Sequence, residues 1–183
     1  MKTIILNNKN GNSVQAELKV LDLNYLDEIM KLQDDIYQGL ENKEFYSCSS
    51  RKEFKETIEE KGKVLGCVSL NDHKLLAIGV YVEYGYESHN YGYDIDIQGN
   101  DILKVGQIES TLVSKDYRGN KLQKIICTYL EEIGREFGMK WICATAEPNN
   151  KYSLNTFKEL GYKIVVEKLK YGGLRRYVLS KEL

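Results

Sequence analysis

The stretch 107–137, QIESTLVSKDYRGNKLQKIICTYLEEIGREF, constrains the fold most. Ile108, Leu112 and Val113 read as a strand, and Arg118 and Gly119 as a tight turn. Leu122, Ile125, Ile126, Tyr129, Leu130, Ile133 and Phe137 then recur at helical spacing. A strand that turns into a long amphipathic helix leaves first-turn N–H groups without partners and gathers partial positive charge there. The unit therefore suits an oxyanion such as a pyrophosphate. Arg118 adds a fixed cation. The same pattern also describes an ordinary crossover helix without a ligand, in which Arg118 is a solvated turn residue.

The flanking sequence predicts what this unit packs against. After a turn at Asn10 and Gly11, residues 13–21 alternate apolar and polar and read as the first strand, with a partner expected later in the chain. Asn24 caps a helix to about Gly39, with Leu26, Ile29, Met30, Leu32, Ile36 and Tyr37 as its apolar stripe. A second, short helix covers 50–60 with Phe54 and Ile58. Strand-like runs at 63–70 and 74–84 are joined by Asn71, Asp72 and His73, a hairpin signature. Gly138 stops the long helix, and 141–146 reads as a buried strand that Pro148 terminates. Strand, helix and strand in that order imply a parallel crossover. Asn149 or Asn150 caps a shorter helix ending at Gly161. Residues 162–170 and 174–179 form a last hairpin about Gly172 and Gly173.

Two segments remain open at this level. Tyr81, Tyr84, Tyr86, Tyr91 and Tyr93 lie among Glu83, Glu87, Asp94 and Asp96. They read either as an exposed, twisted hairpin extension or as a wall for a cationic or amphipathic acceptor. Lys168, Lys170, Arg175 and Arg176 form a basic cluster near the last hairpin, read as a solvated surface or as a phosphate contact.

Composition narrows the function classes. At 183 residues with 42% apolar content, one domain spanning 1–183 is expected. A net charge of -1 supplies no electrostatic excess for nucleic acid or an anionic membrane. The N-terminal MKTIILNN is too short an apolar run for a leader or a membrane span, and a cytoplasmic location is the expectation. Cys48, Cys67, Cys127 and Cys143 show no C-x-x-C pairing and read as reduced packing residues. His73 and His89 sit at no metal-ligand spacing, so neither a zinc site nor a Ser-His-Asp triad is expected. A Rossmann dinucleotide site fits poorly, because only Gly119 survives of a G-x-G-x-x-G pattern.

The order of elements from about 13 to 179, with two separated motifs, resembles the GNAT superfamily of acetyl-CoA-dependent N-acetyltransferases. Val113, Tyr117, Arg118 and Gly119 meet its strand-turn-helix motif. Asn150, Ser153, Gly161 and Tyr162 meet its later N-x-x-[AS] and G-[FY] signature. The resemblance implies an α/β (α+β) fold with a central mixed, mostly antiparallel sheet, about four flanking helices, and splayed parallel strands, the fourth and fifth in this reading. It implies acetyl transfer from acetyl-CoA to a small-molecule or peptide amine by direct attack in a ternary complex, and it leaves room for a homodimer. By position, Leu112 and Val113 would pair with the pantetheine arm. Arg118, Gly119, Asn120, Lys121, Leu122, Gln123 and Lys124 would cradle the pyrophosphate, and Asn150 and Ser153 would contact the cofactor.

Four positions depart from that pattern. Lys121 and Gln123 replace its glycines, and Lys115 stands where proline is common. A residue entering a right-handed helix needs no positive φ, so Lys121 is expected to be tolerated and to point its ammonium at phosphate. Phe157 stands where many members place a tyrosine acid; it cannot donate a proton, and Tyr152 lies about 140° away around the helix. Glu109 is the candidate general base, expected on the same strand face as Thr111 and Val113, and it also reads as a surface carboxylate or a lysine's partner. The departures favour the alternative of a non-catalytic acyl-CoA sensor or structural module of the same fold.

Overall fold

The computed structural model describes residues 2–183. β1 (Lys2–Asn7) and β2 (Ser13–Val20) form an antiparallel hairpin that buries Leu6, Ala16 and Leu18 on one face. The first strand thus lies ahead of the expected one, and β2 pairs on both sides, with β1 and with β3 (Gly62–Ser69). An edge strand needs only one buried face, and Ile5 remains 70% exposed, which is why MKTIILNN carries so faint a signal.

β3 and β4 (Leu75–Val82) are joined at residues 70–74, and β4 is buried along its whole length, as expected of a central strand. β5 (Val105–Val113) pairs antiparallel with β4 and parallel with β6 (Trp141–Ala146). β7 (Lys163–Lys170) and β8 (Leu174–Glu182) complete an eight-stranded sheet of order β1-β2-β3-β4-β5-β6-β8-β7. The extra N-terminal strand moves the parallel pair from fourth and fifth to fifth and sixth.

α1 (Leu26–Gln38) and α2 (Arg51–Glu56) cover one face through Leu26, Ile29, Leu32, Ile36 and Phe54, packed on Val64, Ile78, Val80 and Leu112. Ser50 closes a capping box with Glu53 at the start of α2. α3 (Leu122–Glu136) and α4 (Lys151–Glu159) cover the other face through Leu122, Ile126, Leu130, Leu154 and Phe157. α3 is the crossover between the two parallel strands. A third, smaller cluster of Tyr91, Val105, Cys143 and Val178 packs below the single-turn segments Tyr91–Ile95 and Gly99–Lys104.

The acidic, tyrosine-rich segment does not form an exposed hairpin extension. Tyr81 and Tyr91 are buried, Tyr86 and Tyr93 are exposed, and Asp94 receives Lys168 at 3.1 Å and also Lys170. Two short helical turns can fold back because Asn90 donates to Gly85 O at 2.8 Å and Ile102 O at 3.1 Å.

β5 does not run regularly. Ile78 faces Leu112 and Val80 faces Glu109, so β5 carries one extra residue here, and Ser110 adopts φ 44°. Gly79 lies opposite this bulge, beneath α3, where an added Cβ would stand 2.3 Å from Ile126 Cγ2. Gly79→Ala is therefore expected to lose about 1–3 kcal/mol by overpacking, read as a lower denaturant midpoint at unchanged m.

Candidate active site

Strand length opens the site. β5 and β6 pair only from Val105 with Trp141 to Ile108 with Ala144, after which β6 ends at Ala146 while β5 runs on to Val113. Beyond Ile108 the β6-facing edge of β5 has no ladder partner, so main-chain groups there are available to a ligand. A cavity of about 1210 Å³ occupies this gap and reaches both faces of the sheet.

On the α3 side, Lys115, Arg118, Gly119, Lys121, Leu122, Gln123, Asn150, Ser153 and Phe157 line it. Lys115, Arg118 and Lys121 are exposed and form no ion pair among the described residues. Three unpaired cations on the turn leading into a fifteen-residue helix suit an anion there. Asn120 and Lys124 turn elsewhere. The Asn120 amide accepts from Asn7 N at 2.9 Å and donates to Asn7 O at 2.8 Å, pinning the turn to β1, and Lys124 pairs with Glu159 at 2.9 Å. Gln123 Nε2 donates to Thr111 Oγ1 at 3.0 Å and Ser153 Oγ at 3.2 Å, tying α3 to β5 and α4. Asn150 caps α4 by accepting from Ser153 N at 3.2 Å.

Lys121 does not enter the helix in the expected conformation. It is the N-cap residue and lies in the left-handed region at φ 57°, next to Gly119 at φ 88°. The glycine of the family pattern thus serves the backbone here, and lysine carries strain of about 1 kcal/mol. Phe157 is buried and stacks edge-on against Tyr162 at 5.0 Å, whereas Tyr152 is 87% exposed.

On the other face the bulge decides the geometry. Ile108 and Val113 both pack toward α3, five residues apart, while Leu112 packs toward α1. Glu109 therefore lies on the α1 face, opposite Thr111 and Val113 rather than beside them. Regular alternation fails because Ser110 is looped out, held by Tyr46 Oη at 3.0 Å and Ser49 Oγ at 3.2 Å. Gln33 Oε1 in turn accepts from Tyr46 at 2.7 Å and Ser49 N at 2.9 Å.

Glu109 Oε1 accepts from Tyr91 Oη and Gln107 Nε2, each at 3.0 Å. Burial pushes its carboxyl above the usual carboxylate range, opposed by those two donors. Tyr91 Oη also bonds Tyr171 Oη, which reaches Thr145 Oγ1 at 2.9 Å. Burial raises the Tyr91 phenol, and partial desolvation raises that of Tyr171, which is 43% exposed; like any ordinary phenol, both are protonated at neutral pH. A continuous chain of hydrogen bonds thus runs from Glu109 on β5 to Thr145 on β6.

Tyr46 and Ser49, Thr145, and Tyr171 and Arg176 join the site without a local sequence signal, since they come from three segments remote in sequence from β5. The basic cluster is not one surface: Lys168 and Lys170 pair with Asp94, Arg175 pairs with Glu167 at 2.7 Å, and Arg176 is buried in the cavity wall.

A twisted sheet parted between parallel strands, with an anion site at the crossover helix, defines an acyl-CoA-dependent transferase fold. The sequence matches the acetyltransferase (GNAT) family pattern over residues 26–162, three quarters of the chain. The chain belongs to the GNAT acetyltransferase family, whose co-substrate is acetyl-CoA. Its fold is similar to that of a GNAT acetyltransferase from Streptococcus pneumoniae, with TM-score 0.69 and 14% identity over 92% of this chain and 99% of that one. It is also similar to the ribosomal-protein-S18-alanine N-acetyltransferase of Escherichia coli, with TM-score 0.66 and 12% identity over 91% and 93%. YncA of Salmonella typhimurium, solved with its cofactor acetyl-CoA, gives 0.64 and 13% over 91% and 93%. No curated protein matches the chain. Among the described residues no helix is long and apolar enough to cross a membrane.

Two expectations follow. Lys121→Gly relieves about 1 kcal/mol of left-handed strain but loosens the unfolded chain by about 0.4–1 kcal/mol, for a net gain of no more than about 0.6 kcal/mol in denaturant unfolding. Glu109 has its folded pKa raised, so its contribution to stability is present below the unfolded value and lost as pH rises through the folded one. Glu109→Gln should therefore raise Tm at pH 7 and above, with the gain vanishing below about pH 4.

Proposed function

We propose that the chain transfers the acetyl group of acetyl-CoA to a primary amine by direct attack in a ternary complex. The observation that carries this reading is the two-sided gap between β5 and β6, cationic at the α3 start on one face and bearing a half-buried carboxylate of raised pKa on the other. Bound there, acetyl-CoA supplies a thioester carbonyl open to attack from the opposite face of the sheet.

The free β5 edge at Leu112 and Val113 pairs with the pantetheine amides, and a main-chain N–H there stabilises the oxyanion. Arg118 and Lys121 contact the pyrophosphate together with the N–H groups of Gly119, Asn120, Leu122, Gln123 and Lys124. The Asn120 and Lys124 side chains are engaged elsewhere, so those two contribute through the main chain. Asn150 and Ser153 contact the cofactor from α4.

Glu109 takes the proton that an ammonium must lose before attack, since an alkylamine with a pKa of about 10.4 is mostly protonated at pH 7. Its raised pKa makes it a better base than an exposed carboxylate. The Tyr91, Tyr171 and Thr145 hydroxyls carry the proton across the gap. Phe157 cannot donate, but a thiol of pKa about 8.5 leaves readily as thiolate, so turnover does not depend on a side-chain acid.

The Gln123 bridge between Thr111 and Ser153 favours a second reading, an acyl-CoA sensor, because it occupies space that a glycine would leave open. CoA release with an amine panel separates the two. Transfer requires Glu109→Gln to lower kcat/KM by roughly 10²–10⁴ and to remove the acidic limb of the pH profile, which otherwise falls as Glu109 protonates. Arg118→Ala is expected to raise the Kd for CoA about tenfold in calorimetric titration, and unchanged affinity would remove Arg118 from the phosphate site.

A further inference from the structure

Arg176 is a buried cation without an ion pair among the described residues, although the buried carboxylate of Glu147 acts on it from nearby. Of the four cations around the last hairpin, Lys168, Lys170 and Arg175 each hold a carboxylate, and Arg176 alone is buried, at 3% exposure. Its Nη1 donates to Arg175 O at 2.7 Å, while Nη2 is buried with no hydrogen-bond partner among the described residues. The guanidinium stacks 5.5 Å from the Tyr171 ring centroid. Burial draws its pKa down, yet a guanidinium starts so high that it stays charged at neutral pH. Two carboxylates act on it, Glu147 and Glu44, and neither forms an ion pair with it. Glu147 is committed to Asn149, accepting from N at 2.6 Å and Nδ2 at 3.1 Å, and Glu44 is exposed. A buried, uncompensated cation is costly, and one that lines a cavity is stabilised by an anion entering that cavity.

The face of the sheet identifies which anion. Along β8, Tyr177 and Leu179 pack toward α3, and Val178 packs with Tyr91 on the opposite side. Arg176 shares the side of Val178, and so of Glu109, Tyr91 and Thr145. The free cations of the α3 start serve a phosphate on the other face. An anion at Arg176 therefore belongs to the acceptor.

We propose that the acceptor is a primary amine that also carries a carboxylate, an amino acid or a short acidic peptide, and that Arg176 binds the carboxylate while the amine lies at Glu109. This deepens the acetyl-transfer reading and rests on it for the identity of the amine. Glu109 and Arg176 stand at opposite ends of the Tyr91–Tyr171 pair, so a zwitterion meets a carboxylate at one end and a guanidinium at the other. A planar guanidinium with an unused Nη2 donor matches a carboxylate in a charge-assisted, two-point contact. A diamine or a neutral amine would leave Arg176 unpaired, and that is the source of discrimination.

The test titrates CoA-loaded protein with matched amines, phenylalanine against phenethylamine and lysine against cadaverine, with glycylglutamate as the peptide arm. Acetyl-CoA turnover is then measured with the same set. The carboxylate-bearing member should bind roughly 30-fold or more tightly, and Arg176→Met should collapse that preference while leaving CoA affinity in place and Tm no lower. Arg176→Lys should restore part of it. Preference for glycylglutamate over both amino acids assigns the site to peptides, and the reverse to free amino acids; either supports the proposal. Equal or tighter binding of the decarboxylated amines overturns it. So does a preference that survives Arg176→Met, or a loss of Tm in that variant, which marks a structural role. Selective, Arg176-dependent binding without turnover would sustain the carboxylate site and refute acetyl transfer.

Discussion

The structure depends on a mismatch between two parallel neighbours. β5 has nine residues and β6 six, and they share hydrogen bonds only at their beginnings. A sheet that stayed paired to its ends would bury the main-chain edge that a thioester arm needs. Ser110 completes the opening: its left-handed backbone inserts one residue, turns Glu109 to one face and Thr111 to the other, and is held by Tyr46, Ser49 and Gln33 from the α1 side. The segments before β3 thus set the geometry of β5, which lies far along the chain.

That geometry separates charge by face. Lys115, Arg118 and Lys121 gather where the α3 dipole is positive, on the side where a nucleotide's phosphates would lie. The opposite side holds the half-buried Glu109 carboxylate, the phenols of buried Tyr91 and exposed Tyr171, and the buried Arg176 guanidinium. Desolvation shifts the proton affinity of each group there, and the two charged ones carry opposite signs.

α1 and α3 were legible in the sequence because a 3.6-residue repeat over four turns has few competitors, and the shorter α4 because Asn150 caps it; Asn24, expected to cap α1, lies instead inside the turn Leu23–Tyr25 that Asp22 caps. The strand-turn-helix unit was legible for the same reason. β1 was not, since six residues with one exposed face barely depart from background. Alternation misplaced Glu109, because a bulge is a property of pairing register and no residue in EST announces it. Lys121 was expected in right-handed backbone but is left-handed, beside a turn that Asn120 ties to β1. Arg176 looked like one of four surface cations, and its isolation appears only when Asp94 and Glu167 are seen to hold the other three.

The most direct test of this account is a crystal structure of the chain with CoA and the non-reactive analogue of an amine acceptor. The account predicts the pantetheine arm along the β5 edge at Leu112 and Val113, the pyrophosphate at residues 118–124, and the amine on the Glu109 side of the sheet. A gap between β5 and β6 that closes, or CoA bound at another surface with the Gln123 bridge intact, would contradict it.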